Sequence, residues 1–454
     1  MNRTLNKDTI DQIGKEVLLK GWIRVLRRHG KLVFFDLRDR SGLIQCVFDR
    51  RDVACNVSTQ ENIDKLRPEF AVEITGLVNK RPDNAVNKNL ATGAVEINVK
   101  DIKILAEAET LPFDMGADEL NLQLETLFDN RTLSHRHPKI AAIFKIQQTI
   151  VQSFRKTLSD LNFTEIQAPT IVPSATEGGA NVFKMDYYDK KAYLAQSPQL
   201  YKQMMVSAFE RVFTVAHAYR AEPSMTTRHL SEYVGLDAEM GFINDFHEIM
   251  DVVGVVMRNI AKDVQAKNQE ELQMFKDQIQ LPQVPEKIPI LKLKEAQTII
   301  KERTGRDHTA EPDLDPEDER EIWRYAKEKY QSDVIFITHY PTSKRPFYTY
   351  PDPENPEFTQ SFDLIGLGLE WVTGGKRIND YKMLLEHINK WGNKPEDFEM
   401  YLQAFRFGMP PEGGFCMGLE RVTALILGLK NVKEASLYPR DMERVDIKLN
   451  QNEK

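Results

Sequence analysis

Between Val17 and Leu105, apolar residues recur at alternate positions. Val72, Ile74 and Val78, then Val95, Ile97 and Val99, alternate with polar or small neighbours, which is the period of half-buried strands. Val17–Val25, Leu32–Leu37 and Leu43–Phe48 are strand-like too, with Asp39-Arg40-Ser41-Gly42 as the turn between the last two. A short helix around Asn62–Leu66 interrupts the series. Five short strands and one small helix predict a Greek-key barrel of the OB type over residues 1–107.

The period then changes. Residues 108–135, acidic and carrying Pro112 and Gly116, read as a hinge. Ile140, Ile143, Phe144, Ile150, Val151, Phe154 and Leu158 follow a spacing of three to four, which predicts a long helix opened after Pro138 and closed at Asn162. Strand patterns follow at Phe163–Ile166, in a pair Val212–Tyr219 and Tyr233–Phe242, and at Val334–Thr338, Phe362–Leu364 and Leu369–Val372. Lys262–Lys329 reads as mostly helical, and a strand-to-helix turn falls within Phe415–Leu427. Hairpins with helices gathered around them predict an α+β domain on an antiparallel sheet over residues 136–454. Neither G-x-x-x-x-G-K-[ST] nor G-x-G-x-x-G after a strand occurs, so the usual glycine-rich phosphate loops are excluded.

With 454 residues, 41% apolar and 28% charged, the chain suits two to four folded domains. The run Val252–Met257 is too short to span a bilayer and no apolar leader is visible. Cys46, Cys55 and Cys416 lack metal or redox spacing, so a reducing cytoplasm is the expected compartment. A net charge of −7 argues against a nucleic-acid partner until it is divided. Residues 1–105 carry 19 Lys/Arg and 14 Asp/Glu, net +5, leaving −12 for the rest, as for a polyanion-binding module joined to an enzyme body.

The densest chemistry lies in Phe213–Met240, with Tyr219-Arg220-Ala221-Glu222 on one strand, Thr227-Arg228-His229-Leu230 in the loop, and Tyr233, Gly235, Asp237 and Glu239 sharing a face of the return strand. Such a face is either a solvated surface with ion pairs or a ligand site; unpaired charges exclude a dry core. A second candidate is Gly418-Leu419-Glu420-Arg421, where glycine permits close backbone approach and Arg421 suits phosphate oxygens.

These two segments resemble the second and third signature motifs of class II aminoacyl-tRNA synthetases, and Pro138–Pro169 resembles the first. Thr176-Glu177-Gly178-Gly179, Gln196–Lys202, Arg345-Pro346-Phe347-Tyr348 and Phe407–Pro411 are similar to aspartyl-tRNA synthetases of the archaeal and eukaryotic type. The resemblance implies a cytoplasmic homodimer, paired through the first motif, that activates L-aspartate with ATP and Mg²⁺ and charges tRNA(Asp), with tRNA(Asn) left open. The other readings are an asparaginyl-tRNA synthetase, less readily a lysyl enzyme, and a non-catalytic RNA-binding paralogue.

By the same resemblance Arg220 and Arg421 are the catalytic cations. Glu177, Ser197, Gln199, Lys202, Asp237, Thr373 and Arg377 join Arg220 around aspartate. Glu222, Arg228, His229, Leu230, Glu370, Gly418, Leu419 and Glu420 join Arg220 and Arg421 around ATP. Asp363, Glu370 and Thr373 hold the metal, and Phe34, Gln45 and Arg28 meet the anticodon, Phe34 rather than Phe35 facing outward. Arg24, Arg27 and Lys31 would follow the phosphate backbone with Arg28. Joining a carboxylate to a phosphate brings two anions together, so guanidinium clamps and a divalent cation matter more than a general base. Thr373 replaces the family's common serine and keeps its hydroxyl. Glu412 replaces a usual histidine and is expected to add negative charge beside an anionic pocket.

Overall fold

The computed structural model describes residues 2–51, 56–88, 90–174, 181–223 and 226–449. They divide into two compact units, Met1–Gln123 and Leu124–Lys454. In the first, β1 (Glu16–His29), β2 (Leu32–Asp39), β3 (Gly42–Asp49), β4 (Ala71–Lys80) and β5 (Val95–Ala106) close a barrel in the order β1-β2-β3-β5-β4. Alternation fills it: Leu19, Ile23, Val33, Phe35, Ile44, Phe48, Ile74 and Ile97 are fully buried inside. Helix α1 (Val57–Lys65) starts five residues earlier than the apolar pattern suggests, because the Asn56 side chain accepts the Thr59 amide and caps it.

The second unit opens with short α2 (Leu124–Asp129) and α3 (Arg131–Ser134), then α4 (Pro138–Asp160). Proline occupies the first turn of α4, Asn162 beyond its end is left-handed at φ 63°, and Ile143, Ile146, Ile150, Phe154 and Leu158 form its buried stripe. Next come β6 (Thr164–Glu165), β7 (Ile171–Val172), β8 (Lys184–Tyr187), β9 (Lys190–Leu194), α5 (Gln199–Phe209), β10 (Arg211–Tyr219), β11 (Glu232–Gly241), α6 (His247–Lys267) and α7 (Gln269–Gln273). The chain continues through β12 (Ile290–Lys292), α8 (Leu293–Thr304), α9 (Pro316–Tyr330), β13 (Val334–Thr338), β14 (Ser361–Gly366), β15 (Leu369–Lys376), α10 (Tyr381–Lys390), α11 (Glu399–Arg406), β16 (Glu412–Gly418) and α12 (Leu419–Ile426).

Eight strands form one sheet in the order β12-β13-β14-β15-β16-β11-β10-β6, antiparallel except where β12 and β6 add to its ends in parallel. The edge strand β12 lies within the segment expected to be mostly helical, and β7, β9 and β8 make a separate small sheet. One face of the large sheet packs Leu236, Ala238, Phe415, Met417, Val372 and Leu364 against α4, α6 and α12. Residues of opposite parity face the other way. There Ile335, Ile337 and Ile365 pack on α8 and α9, and Val212 packs with α5, α10 and α11. The strands between these two packed regions carry the polar residues of the site.

Candidate active site

Strand register assembles the site floor. Asp363 pairs with Thr373, Thr373 with Cys416, Cys416 with Asp237, and Asp237 with Thr214, so residues far apart in sequence form one row. Gly235 pairs with Gly418 in the next row. A bulge adjusts β15: Leu364 pairs with Val372 and Ile365 with Glu370, leaving Trp371 unpaired and buried in the core. Without that additional residue, Glu370 and Thr373 would point to opposite faces.

Two clefts open on this floor. The larger, about 270 Å³, is lined by Arg220, Glu222, Arg228, His229, Leu230, Glu370, Gly418, Glu420 and Arg421, as the ATP expectation requires, and also by Tyr233 and Arg345. Leu419, placed with them from the sequence, is instead turned into the core. The smaller cleft, about 170 Å³, is lined by Ser197, Gln199, Asp237, Tyr348 and Arg377 among others. Arg220, Arg345, Thr373 and Cys416 line both. A β-carbon on Gly418 would meet nothing nearer than 3.7 Å, so its missing side chain leaves the floor open.

Arg220 leans over the Tyr233 ring, 5.5 Å from its centroid, and lies 3.8 Å from Glu222. Arg421 is 3.4 Å from Glu370. Arg228 reaches Glu319 of α9 at 3.6 Å. Burial pushes Glu319 up to about 8, helped by the Glu370 charge. Burial likewise raises Glu420 to about 7, although its carboxylate accepts the Val234 amide at 3.1 and 3.2 Å, so Glu420 ties α12 to β11. Arg345 was missed from the sequence. It donates to Asp363 at 2.7 Å and Thr373 at 3.0 Å and stacks 4.0 Å from the Tyr340 ring centroid. Its signal was the Arg345-Pro346-Phe347-Tyr348 motif. Glu319 had no such signal.

Asp363, Glu370 and Thr373 fit a hard divalent cation. Asp363 Oδ1 is buried without a hydrogen-bond partner, and burial, with the neighbouring Asp363 charge, raises Glu370 despite the pull of Arg421, so the pair of carboxylates keeps capacity for a further cation. Another group of metal-type donors, His308, Asp315 and Asp318, is already used: Arg306 pairs with Asp318 at 3.0 Å and Asp315 caps α9.

Lys202 departs from the direct contact with substrate expected of it. It is fully buried under the smaller cleft, its ammonium 2.7 Å from Asp237 and 3.2 Å from Glu239. Burial opposes its charge, but the two carboxylates outweigh that and hold it at about 12. Arg377 donates to Glu239 at 2.7 Å and to the Gly414 carbonyl at 3.1 Å. A β-carbon at Gly414 would lie 2.5 Å from the Glu239 carboxyl carbon, so glycine makes room for this buried charge. At Glu412, where the sequence is expected to add negative charge, burial and then the Glu239 carboxylate push the acid well above the usual carboxyl range. Glu177 lies outside the described residues.

On the barrel, Phe35 is fully buried and Phe34 faces outward, its ring edge-on to His29 at 6.2 Å. Gln45 pairs across the strands with Asp36 and donates to Glu96 at 3.2 Å. Arg28 donates to the carbonyls of Ile63, Asp64 and Leu66 at 3.2–3.4 Å, closing the end of α1. Arg24 donates to the Ala117 carbonyl and Arg27 lies 3.4 Å from Asp36.

The Leu124–Lys454 unit thus offers a sheet floor with arginines converging on two joined clefts, and the Met1–Gln123 unit a small barrel with an outward-facing aromatic, the features expected of a nucleotide site and a nucleic-acid module. Comparison with known proteins agrees. The family of class II tRNA synthetases (D, K and N) matches residues 123–442, and the OB-fold nucleic acid binding domain matches residues 17–105. The chain belongs to that class II synthetase family and is an ATP-dependent aminoacyl-tRNA synthetase. It is 40% identical to the aspartate–tRNA(Asp/Asn) ligase of Deinococcus radiodurans, over 98% of this chain and 99% of that one. It is 35% identical to the aspartate–tRNA(Asp) ligase of Pyrococcus horikoshii, over 97% and 98%. Among solved structures it is similar to the asparaginyl-tRNA synthetase of Pyrococcus horikoshii complexed with asparaginyl-adenylate, with TM-score 0.88 and 29% identity over 98% of this chain and 99% of that one. No described helix is long and apolar enough to cross a membrane.

Proposed function

We propose that this protein is an aspartate–tRNA ligase. It activates L-aspartate with ATP and transfers the aspartyl group to the 3' end of tRNA(Asp), with tRNA(Asn) as a second acceptor. The observation that carries this reading is the wall shared by the two clefts, where Arg220, Arg345 and Thr373 border both, with the cation Arg377 lining the smaller one. The relatives named for both tRNAs support the second acceptor.

In the first step an aspartate carboxylate oxygen attacks the α-phosphorus and pyrophosphate leaves. In the second, a ribose hydroxyl of the terminal adenosine attacks the adenylate carbonyl and AMP leaves. Arg220 bridges the two reacting anions, and Arg228 and Arg421 take the outer phosphates, so negative charge that builds on phosphorus and pyrophosphate meets fixed cations. Glu222 reads the adenine amino group while His229 and Leu230 seat the nucleotide. Ser197, Gln199, Asp237 and Arg377 surround the amino acid with Glu177, and Arg377 supplies the cation for its side-chain carboxylate. Asp363, Glu370 and Thr373 would hold Mg²⁺, which would supply charge neutralisation at the phosphates.

Phe34 stacks on an anticodon base and Gln45 hydrogen-bonds a base edge. The functional division is an anticodon-binding domain at residues 1–107, a hinge at 108–135 and the catalytic domain at 136–454. The working form is a cytoplasmic homodimer joined through Pro138–Pro169. ATP–pyrophosphate exchange with aspartate against asparagine tests the substrate, and exchange of asparagine alone would overturn it. Aspartylation of tRNA(Asp) and tRNA(Asn) transcripts tests the acceptors.

A further inference from the structure

The inner end of the smaller cleft holds more acid than the aspartate reading uses. Lys202 and Arg377 bring two positive charges, and Asp237 and Glu239 already balance them at 2.7–3.2 Å. Glu412 is a third carboxyl in this cluster, fully buried at the start of β16, and it makes no ion pair among the described residues. It borders neither cleft, so it does not touch substrate. Its Oε1 accepts from Gln203 Nε2 of α5 at 2.7 Å, and the Tyr401 hydroxyl of α11 donates to Gln203 Oε1 at 3.2 Å. The amide therefore turns its nitrogen towards Glu412 and makes Oε1 the accepting oxygen. Oε2 is buried with no donor to receive. The neighbouring acid is Glu239 of β11, which already accepts from Arg377 Nε at 2.7 Å and Gln199 Nε2 at 3.3 Å.

We propose that Glu412, as a neutral acid, is a positioning residue for amino-acid recognition: its Oε2 proton is donated to the Glu239 carboxylate, which in turn fixes Arg377 and Lys202. The proposal rests on the aspartate reading and adds to it a cause for the orientation of Arg377. Ionised, Glu412 would give the cluster a net negative charge and repel a substrate carboxylate. Neutral, it leaves Lys202, Arg377, Asp237 and Glu239 in balance, so the incoming carboxylate meets Arg377 without a competing excess of anions. Burial and the Glu239 charge both favour the proton on Glu412, against weaker opposing pulls from Gln203 and Arg377. Where the resembled aspartyl enzymes usually carry histidine, this chain has Glu412.

Full-length protein, Glu412→Gln and Glu412→Ala are compared by ATP–pyrophosphate exchange with aspartate from about pH 6 to about pH 9, a range above the ordinary carboxyl values. Glutamine keeps one accepting oxygen and one donor and cannot ionise, so Glu412→Gln should match the unmutated KM at every pH. Glu412→Ala takes one donor from Glu239 and leaves Gln203 Nε2 without its acceptor, and should raise KM roughly tenfold, the scale of one unsatisfied buried partner, with kcat nearly unchanged. Thermal melts of both variants establish that they fold. A Glu412→Gln enzyme as impaired as Glu412→Ala overturns the proposal, and so does one that increasingly outperforms the unmutated enzyme as pH rises. The aspartate reading is judged separately, on the unmutated protein's choice between aspartate and asparagine.

Discussion

Replacing Lys202 by methionine keeps the length of the side chain and removes the charge that faces Asp237 and Glu239. All three side chains are at most 1% exposed, so water cannot replace the ammonium. Arg377 still pairs with Glu239, which leaves Asp237 as the uncompensated charge. At 2.7 Å the gross attraction is about 6 kcal/mol for an effective dielectric constant of about 20. Desolvation removes part of that, and breaking one side of a buried pair typically costs about 3–5 kcal/mol. For the Leu124–Lys454 unit, an unfolding entropy of about 0.7 kcal/mol/K converts this into a fall in Tm of roughly 4–7 °C. Adding Asp237→Asn removes the stranded charge and should recover more than half of the loss, because Arg377 and Glu239 remain balanced. Differential scanning fluorimetry on the two single variants and the double variant reads the coupling directly. Strictly additive losses, or a fall below about 1 °C in Lys202→Met, would refute a shared buried charge network. Pyrophosphate exchange on the same proteins should show a steep loss of aspartate activation in Lys202→Met, with asparagine less affected.

Phe34→Ala should weaken tRNA charging by about 1–3 kcal/mol per stacked base with exchange barely altered, while Phe35→Ala should destabilise the barrel by about 3–5 kcal/mol; the reverse pattern in filter binding and melts would reassign the faces. Glu370→Gln should cut exchange by about a hundredfold or more at saturating ATP and leave tRNA binding near normal, so unchanged exchange removes Glu370 from the metal set. The folded pKa of Glu420, about 7, lies above the ordinary value near 4.5, so its contribution to stability is full below about pH 4.5 and declines as pH rises through about 7. Glu420→Gln should flatten that part of the stability–pH curve, and an unchanged slope in urea titrations would show the carboxyl is solvated.

Local period determined much of this protein. Alternation in residues 17–105 is enough for a barrel whose core is Val33, Phe35, Ile44 and Phe48, and it also turns Phe34 outward, because side chains on a strand can only alternate. The stripe of α4 and its end at Asn162 were equally legible, as was the charged face of β11, where Asp237 and Glu239 share a parity that Leu236 and Ala238 do not. The active site could be assembled from motifs because its arginines lie in short recognisable segments. What those segments touch was decided only by tertiary structure. Strand order inserts β16 between β11 and β15 and so sets Cys416 beside Asp237, about 180 residues away, through backbone hydrogen bonds that carry no sequence label. The bulge that leaves Trp371 unpaired turns Glu370 to the face of Thr373, which strict alternation would forbid. Lys202 reads as a helix lysine, and only the packing of α5 on the sheet buries it between two carboxylates and removes it from the cleft. Arg28 reads as a cation for phosphates, and only the position of α1 turns it onto three carbonyls. Local pattern specifies which face a side chain takes; the partners of a buried charge depend on which distant elements the fold packs against it.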